Sequence, residues 1–138
     1  MPAQDAIHDI VKTALIKDGW KITHDPYTIE MGSTHVFADL GAEKIIAAEK
    51  GKRKIVVEIK SFIGLSMMDE LEKAIGKFKL YSSWVARTEP ERTVYLAVSE
   101  LTFNDVFDTI GGRALIEDLE LKLILVSLAR QEVTKWIE

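Results

Sequence analysis

Apolar positions along the chain change their period from about 3.6 to 2 and back, and each change predicts an element. Ile7, Ile10, Val11, Ala14 and Leu15 recur at helical spacing. They predict a helix over 3–18, with Asp5 near its positive end and Gly19 as its stop. Trp20–Thr23 and Tyr27–Met31 bracket His24-Asp25-Pro26, reading as a strand, a turn and a further extended piece before a Gly32-Ser33-Thr34 loop. Val36–Leu40 predicts a short strand, and Ile45–Glu49 continues the sheet. A basic turn, Lys50–Arg53, leads into Lys54–Ser61, whose β-branched middle predicts the central strand. Alternation puts Lys54, Val56, Glu58 and Lys60 on one face of that strand and Ile55, Val57, Ile59 and Ser61 on the other.

Ser66 is suited to cap a long helix from Met67 to about Val85. Its expected buried side is Met68, Leu71, Ile75, Phe78 and Leu80, with Lys73, Lys77 and Lys79 exposed. Glu89-Pro90-Glu91 ends it, and Thr93–Val98 is a buried strand. Thr102–Ile110 predicts a short helix capped by Thr102 and broken by Gly111-Gly112, with a further turn at Arg113–Leu119. Leu121–Ser127 is the last apolar strand, and Gln131–Glu138 closes the chain with Trp136 as a packing anchor. Strands separated by long helices predict an α/β fold: a mixed central sheet flanked by helices, as one domain over 1–138.

Composition narrows the classes. The 138 residues are 47% hydrophobic and 29% charged, the balance of a globular chain. Absence of cysteine excludes disulfides, zinc–thiolate sites and thiol nucleophiles. The apolar runs are too short to span a bilayer, and the start lacks a signal peptide's basic and apolar regions. A cytoplasmic location without a membrane partner is therefore expected. The net charge of −4 argues against nonspecific coating of DNA, yet leaves room for a local basic rim. Lys52 and Arg53 on the basic turn, and Lys73 and Lys77 on the long helix, are the candidate phosphate contacts. The plainer reading of the turn is a solvated hairpin tip.

The chemistry centres on Asp39 and Glu58-Ile59-Lys60. If the strands of Asp39 and Glu58 pair as neighbours, their carboxylates converge. Two acidic oxygens and the Ile59 carbonyl then suit a hard cation, Mg²⁺ or Mn²⁺. Lys60 beside it orients a hydroxide and offsets phosphate charge, an arrangement for metal-assisted phosphodiester hydrolysis. A slip of one residue in register lets Glu49 replace Asp39. The alternative is a structural cluster of ion pairs, or a solvated strand face.

Asp39, Glu58 and Lys60, in the order helix, Asp at a strand end, Glu-x-Lys on the next long strand, then helix, resemble the PD-(D/E)xK nuclease superfamily. That resemblance implies a restriction-endonuclease-like fold with Asp39 and Glu58 as metal ligands and Lys60 positioning the nucleophile. Many members carry an acid on the first helix. Here His8 occupies that place in His8-x₂-Val11-x₃-Leu15-x₃-Gly19, where it would ligate directly or through water. Ala38 replaces the nominal proline. Ser61 is a second-rank candidate beside His8.

A closer resemblance covers nearly the whole chain. His8…Val11…Ala14-Leu15, Asp18-Gly19-Trp20, Ile22-Thr23…Asp25-Pro26, Asp39-Leu40-Gly41-Ala42-Glu43, Ala48-Glu49-Lys50 and Val57-Glu58-Ile59-Lys60-Ser61-Phe62 resemble the XisH family. So do Ala74-Ile75-Gly76…Tyr81, Tyr95-Leu96-Ala97-Val98 and Lys135-Trp136-Ile137. The family is named for a factor controlling excision of the fdxN DNA element in heterocyst-forming cyanobacteria. The resemblance implies a role in DNA rearrangement beside a site-specific recombinase and a small partner, XisI. Relatives usually carry Gln where Lys77 stands. Two functions follow: a Mg²⁺- or Mn²⁺-dependent endonuclease, or a catalytically inactive regulator that binds DNA or XisI and directs the recombinase. Paired nicks on a duplex would suit a homodimer.

Overall fold

The computed structural model describes residues 4–31, 34–36 and 45–138. In chain order they form α1 (Gln4–Lys17), β1 (Lys21–His24), β2 (Ile29–Met31), β3 (Thr34–Val36), β4 (Ile45–Lys50) and β5 (Arg53–Ile59). Then come α2 (Met67–Thr88), β6 (Arg92–Ser99), α3 (Glu100–Thr102), a π-type turn (Phe103–Phe107), α4 (Ile110–Asp118), β7 (Leu123–Ser127) and β8 (Glu132–Ile137). Six strands make one mixed sheet in the order β1-β4-β5-β6-β7-β8, while β2 and β3 pair separately. The β5–β6 and β6–β7 pairs are parallel and the others antiparallel. Parallel neighbours need long crossovers, which α2 and the α3–α4 segment supply. The result is the predicted mixed α/β architecture, consistent with a restriction-endonuclease-like fold.

Alternation along β5 sorts its side chains as expected. Val56 joins Val94, Leu96 and Val98 beneath α2, whose Leu71, Ala74, Phe78, Tyr81 and Val85 pack against them. Ile55, Val57 and Ile59 join Tyr95 and Ala97 on the other face, under Ile7, Val11, Ala14 and Leu15 of α1. Both faces are covered, which is why the strand reads as an almost unbroken apolar run. Among the described residues no helix is long and apolar enough to cross a membrane.

Local chemistry sets the ends. Beyond α1, Gly19 has φ +94° and the Trp20 N–H returns to the Leu15 carbonyl at 2.9 Å, a Schellman closure. Ser66 Oγ accepts from the Asp69 N–H at 3.2 Å, capping α2 as expected. The helix runs to Thr88, where Pro90 follows within two residues.

Three expectations are corrected. The buried stripe of α2 follows Leu71, Ala74, Phe78, Tyr81 and Val85 at spacings of three and four, so Met68 and Leu80 fall off it and are exposed. Ser99, not Thr102, caps the turn after β6, accepting from the Thr102 N–H at 3.1 Å. Gly111-Gly112 does not break a helix, because both lie inside α4, capped by Thr109. A Cβ on Gly112 would collide with the Phe107 carbonyl oxygen, so glycine there permits a close approach and is not a stop.

Candidate functional site

Glu58 lies next to the last position of β5, opposite Ile45 of β4 and Leu96 of β6. It shares Val56's face, under α2, and only 1% of it is exposed. Both carboxylate oxygens are shielded from solvent. The Lys60 N–H extends the ladder one step past β5 by donating to the Ala97 carbonyl at 3.2 Å. Residue 60 therefore shares Glu58's face, as alternation predicts. Lys60 is 3% exposed.

What surrounds Lys60 was not legible in the sequence. Its Nζ lies 3.0 Å from Oε2 of Glu70, in the first turns of α2, and 5.9 Å from the centre of the Phe62 ring. Glu70 Oε1 accepts from the Gly64 N–H at 2.8 Å. A Cβ at position 64 would come within 2.6 Å of that oxygen, so glycine lets the loop close over the carboxylate. Burial alone would push the Glu70 carboxyl up, but the bonds from Lys60 and Gly64 and the charges of Lys60 and Lys73 hold it below the ordinary range. Phe62 has φ +53°, a left-handed conformation that costs about 1–2 kcal/mol for a bulky residue. It is held there by burial and by edge-on packing against Phe107, with ring centres 6.0 Å apart. That turn brings the start of α2 back to Lys60. The Ser61 hydroxyl is buried beside it with no hydrogen-bond partner among the described residues.

Asp39 and Glu43 lie outside the described residues. Among the described residues the neighbours of β5 are β4 and β6, and the Gly51-Lys52 turn joins β4 to β5. Glu49 does not join Glu58. It stands opposite Lys54, toward the other end of the hairpin, and pairs with Arg92 at 3.5 Å. His8 belongs to α1, over the opposite face, and its Nε2 meets Asp25 Oδ1 at 3.0 Å. Lys12 reaches the other oxygen of Asp25 at 2.7 Å. Burial opposes ionisation of Asp25, but those two partners outweigh it and lower its pKa. The three residues tie α1 to the turn after β1.

The basic candidates divide between two ends of the molecule. Lys52, in the turn, and Arg53, at the start of β5, lie six and five residues from Glu58, which puts Arg53 roughly 17 Å away. The Arg53 guanidinium lies 5.3 Å from the Trp20 ring centre and 5.7 Å from that of Trp136. It also reaches Tyr95 and Glu138 at 3.2 and 3.3 Å. Burial and a hydrogen bond to Glu138 push the Tyr95 hydroxyl up to about 12. Lys73 and Lys77 follow Glu70 by three and seven residues on α2, Lys73 exposed and Lys77 half-buried.

Glu70 is the residue that sequence reasoning missed. Beside Asp69 in the first turn of α2 it has the plain role of an acid complementing the helix dipole. The available signal was its position one turn before Ala74, on the inward row of α2. Among the described residues no three His, Asp or Glu side chains gather to hold a metal ion. Glu58 supplies shielded hard oxygen, so it fits one position of a Mg²⁺ or Mn²⁺ site whose further carboxylate would come from Asp39. A cavity of about 650 Å³ beside Phe78, Ser82, Arg92 and Leu121 lies toward the other end of β6 and does not include Glu58.

No curated protein matches the sequence. The sequence matches the XisH protein family over residues 1–134. A crystal structure of an XisH family protein from Nostoc punctiforme is 36% identical, with 97% of this chain and 100% of that one covered, and superposes with a TM-score of 0.90. A crystal structure of an fdxN element excision controlling factor protein from Anabaena variabilis is also 36% identical, covering 97% and 99%, with a TM-score of 0.89. Sequence and architecture thus agree over almost the full length, and the chain belongs to the XisH family.

Proposed function

We propose that this chain is a controlling factor in excision of a DNA element, acting in the cytoplasm, and that the end of β5 is a metal-dependent site for phosphodiester hydrolysis. The observation that carries the chemical reading is the buried Glu58 carboxylate with the buried Lys60 ammonium two residues on, the latter held by Glu70 at 3.0 Å. The name of the Anabaena neighbour supports the excision role.

Glu58 and Asp39 would hold Mg²⁺ or Mn²⁺. Ile45, opposite Glu58, follows Asp39 by only six residues, which supports their convergence. The ion, when bound, supplies a water of lowered pKa and offsets charge on the phosphate. Lys60 brings a fixed positive charge to the scissile phosphate, and Glu70 determines where that charge sits. Lys73 and Lys77 extend the positive rim along α2 for phosphates on either side. The Arg53 guanidinium lies against Trp20 and Trp136 and reaches Tyr95 and Glu138, yet 56% of its side chain is exposed, so it stays a candidate phosphate contact at the other end of β5. His8, turned to Asp25, helps fasten α1.

A second reading is favoured by one specific observation: Glu70 neutralises Lys60. In that reading the chain is a catalytically inactive regulator that binds DNA or an XisI-like protein and directs a recombinase. The deciding experiment measures cleavage of plasmid and branched DNA with Mg²⁺ or Mn²⁺, with and without an XisI-like protein. Asp39→Ala and Glu58→Ala, checked for folding by circular dichroism, serve as controls. Cleavage by the wild type that disappears in both variants supports the nuclease. DNA or partner binding without cleavage, unchanged in both, supports the regulator.

A further inference from the structure

An apolar groove opens between the first turns of α2 and the segment that runs from the π-type turn into α4. Met67, Met68 and Leu71 form one wall, Val106, Gly112 and Leu115 the other, and the space between them is about 470 Å³. Of the seven large apolar side chains exposed among the described residues, five lie on these two stretches or at their ends; Met68 is 61% exposed and Ile110 93%. Apolar exposure is therefore concentrated here, the pattern of a contact surface rather than of scattered surface residues. The wall at Gly112 is fixed by its close approach to the Phe107 backbone. The facing methionines are flexible and adapt to a partner's shape.

Charge says what kind of partner fits. Residues 65–72 contain three acids and residues 100–112 contain three more, with no lysine or arginine in either stretch. Glu70 pairs with Lys60 and Asp108 with Arg113. Asp69, Glu72, Glu100 and Asp105 are exposed, and Asp105 lines the groove itself. No lysine or arginine lines the groove, so nucleic acid meets no cation inside it, whereas Lys73 and Lys77 lie farther along α2. A second copy bound about a two-fold axis would press the same acidic walls together.

We propose that this groove docks an amphipathic helix of a partner protein. The helix seats its apolar row between α2 and α4, and its lysine or arginine side chains meet Asp69, Glu72, Glu100 and Asp105. The proposal rests on the groove and its charge, not on the hydrolytic reading of β5, and its test reads binding rather than cleavage.

The probe is a synthetic helical peptide of leucine and lysine in amphipathic register, with a leucine–glutamate peptide of the same pattern as control. Binding is followed by fluorescence anisotropy, and the footprint by methyl NMR of Met67 and Met68. The lysine peptide is expected to bind and shift both methyl signals. Its affinity should fall by about tenfold or more in Met68→Ser/Ile110→Ser and in Asp69→Asn/Asp105→Asn. All four residues are exposed, and circular dichroism checks that the variants keep the fold. The proposal is overturned by no binding, by equal binding of the glutamate peptide, or by binding that leaves the methionine signals unmoved. Concentration-dependent self-association of the chain, lost in Met68→Ser/Ile110→Ser, also overturns it by assigning the groove to a second copy.

Discussion

Two buried cations stand toward opposite ends of the central parallel strands, and they are held differently. Arg92, at the start of β6 and 8% exposed, faces the Ile55 carbonyl at 3.4 Å, Glu89 at 3.3 Å and Glu49 at 3.5 Å, with the Tyr27 ring 5.4 Å away. Its planar fork ties β4, β5, β6 and the residue that ends α2 to one another, a task suited to arginine's several fixed donors. Lys60 lies just past the end of β5 as a compact charge, two residues from a buried carboxylate and against a second one on α2. The loop beside it carries the left-handed Phe62 and a buried serine hydroxyl. A buried charge is thus no marker of function by itself. Convergence of titratable groups at a strand end, beside a strained turn, is the more telling sign.

The comparison breaks most sharply at Glu58. Glu58→Gln keeps shape and removes the charge, so cleavage is expected to fall by about a thousandfold or more, equivalent to about 4 kcal/mol in the barrier. Plasmid nicking with Mn²⁺ measures it. Arg92→Met should do the reverse. It leaves Glu49, Glu89 and the Ile55 carbonyl without their cation and is expected to destabilise the fold by about 3 kcal/mol. This is the low end for a broken buried pair, because both carboxylates are about a third open to water. Denaturant unfolding reads the loss, while the cleavage rate per folded molecule should stay within about threefold of wild type.

Gly64→Ala tests the link between the two halves of the site. The new Cβ meets a side-chain oxygen, so Glu70 swings away from Lys60 and the protein keeps its fold. Cleavage should drop by about tenfold, with the apparent KM for DNA changing less than kcat. The smallest effect is on pH. The Glu70 carboxyl is depressed below its ordinary 4.5, so its ion pair contributes fully above that value and is lost as pH falls through the lower folded value. The stability gap between wild type and Glu70→Gln, measured by urea unfolding, should therefore be constant near neutrality and close in acid below about pH 4.5.

What the sequence could show was whatever depends on position along one element. The pleat alone assigns Glu58 and Lys60 to one face of β5, and Ser66 and Gly19 mark helix ends by their own backbone chemistry. What it hid depends on segments that fold onto one another. Glu70 reaches Lys60 only because the loop turns at Phe62 and narrows at Gly64. The aromatic setting of Arg53 was hidden because Trp136, at the far end of the chain, packs beside Trp20 with ring centres 5.6 Å apart. Gly111-Gly112 looks like a stop because glycine usually is one, and only the Phe107 backbone reveals the close approach it serves. The face reached by His8 is likewise decided by where α1 docks, not by its spacing within the helix.

If the end of β5 is a chemical centre and not a second structural staple, it binds a divalent cation through Glu58. Calorimetric titration with Mn²⁺ of the wild type and of folded Glu58→Gln tests it most directly. Saturable Mn²⁺ binding to the wild type, lost in Glu58→Gln, is expected. Equal binding by both proteins, or none by either, would contradict it.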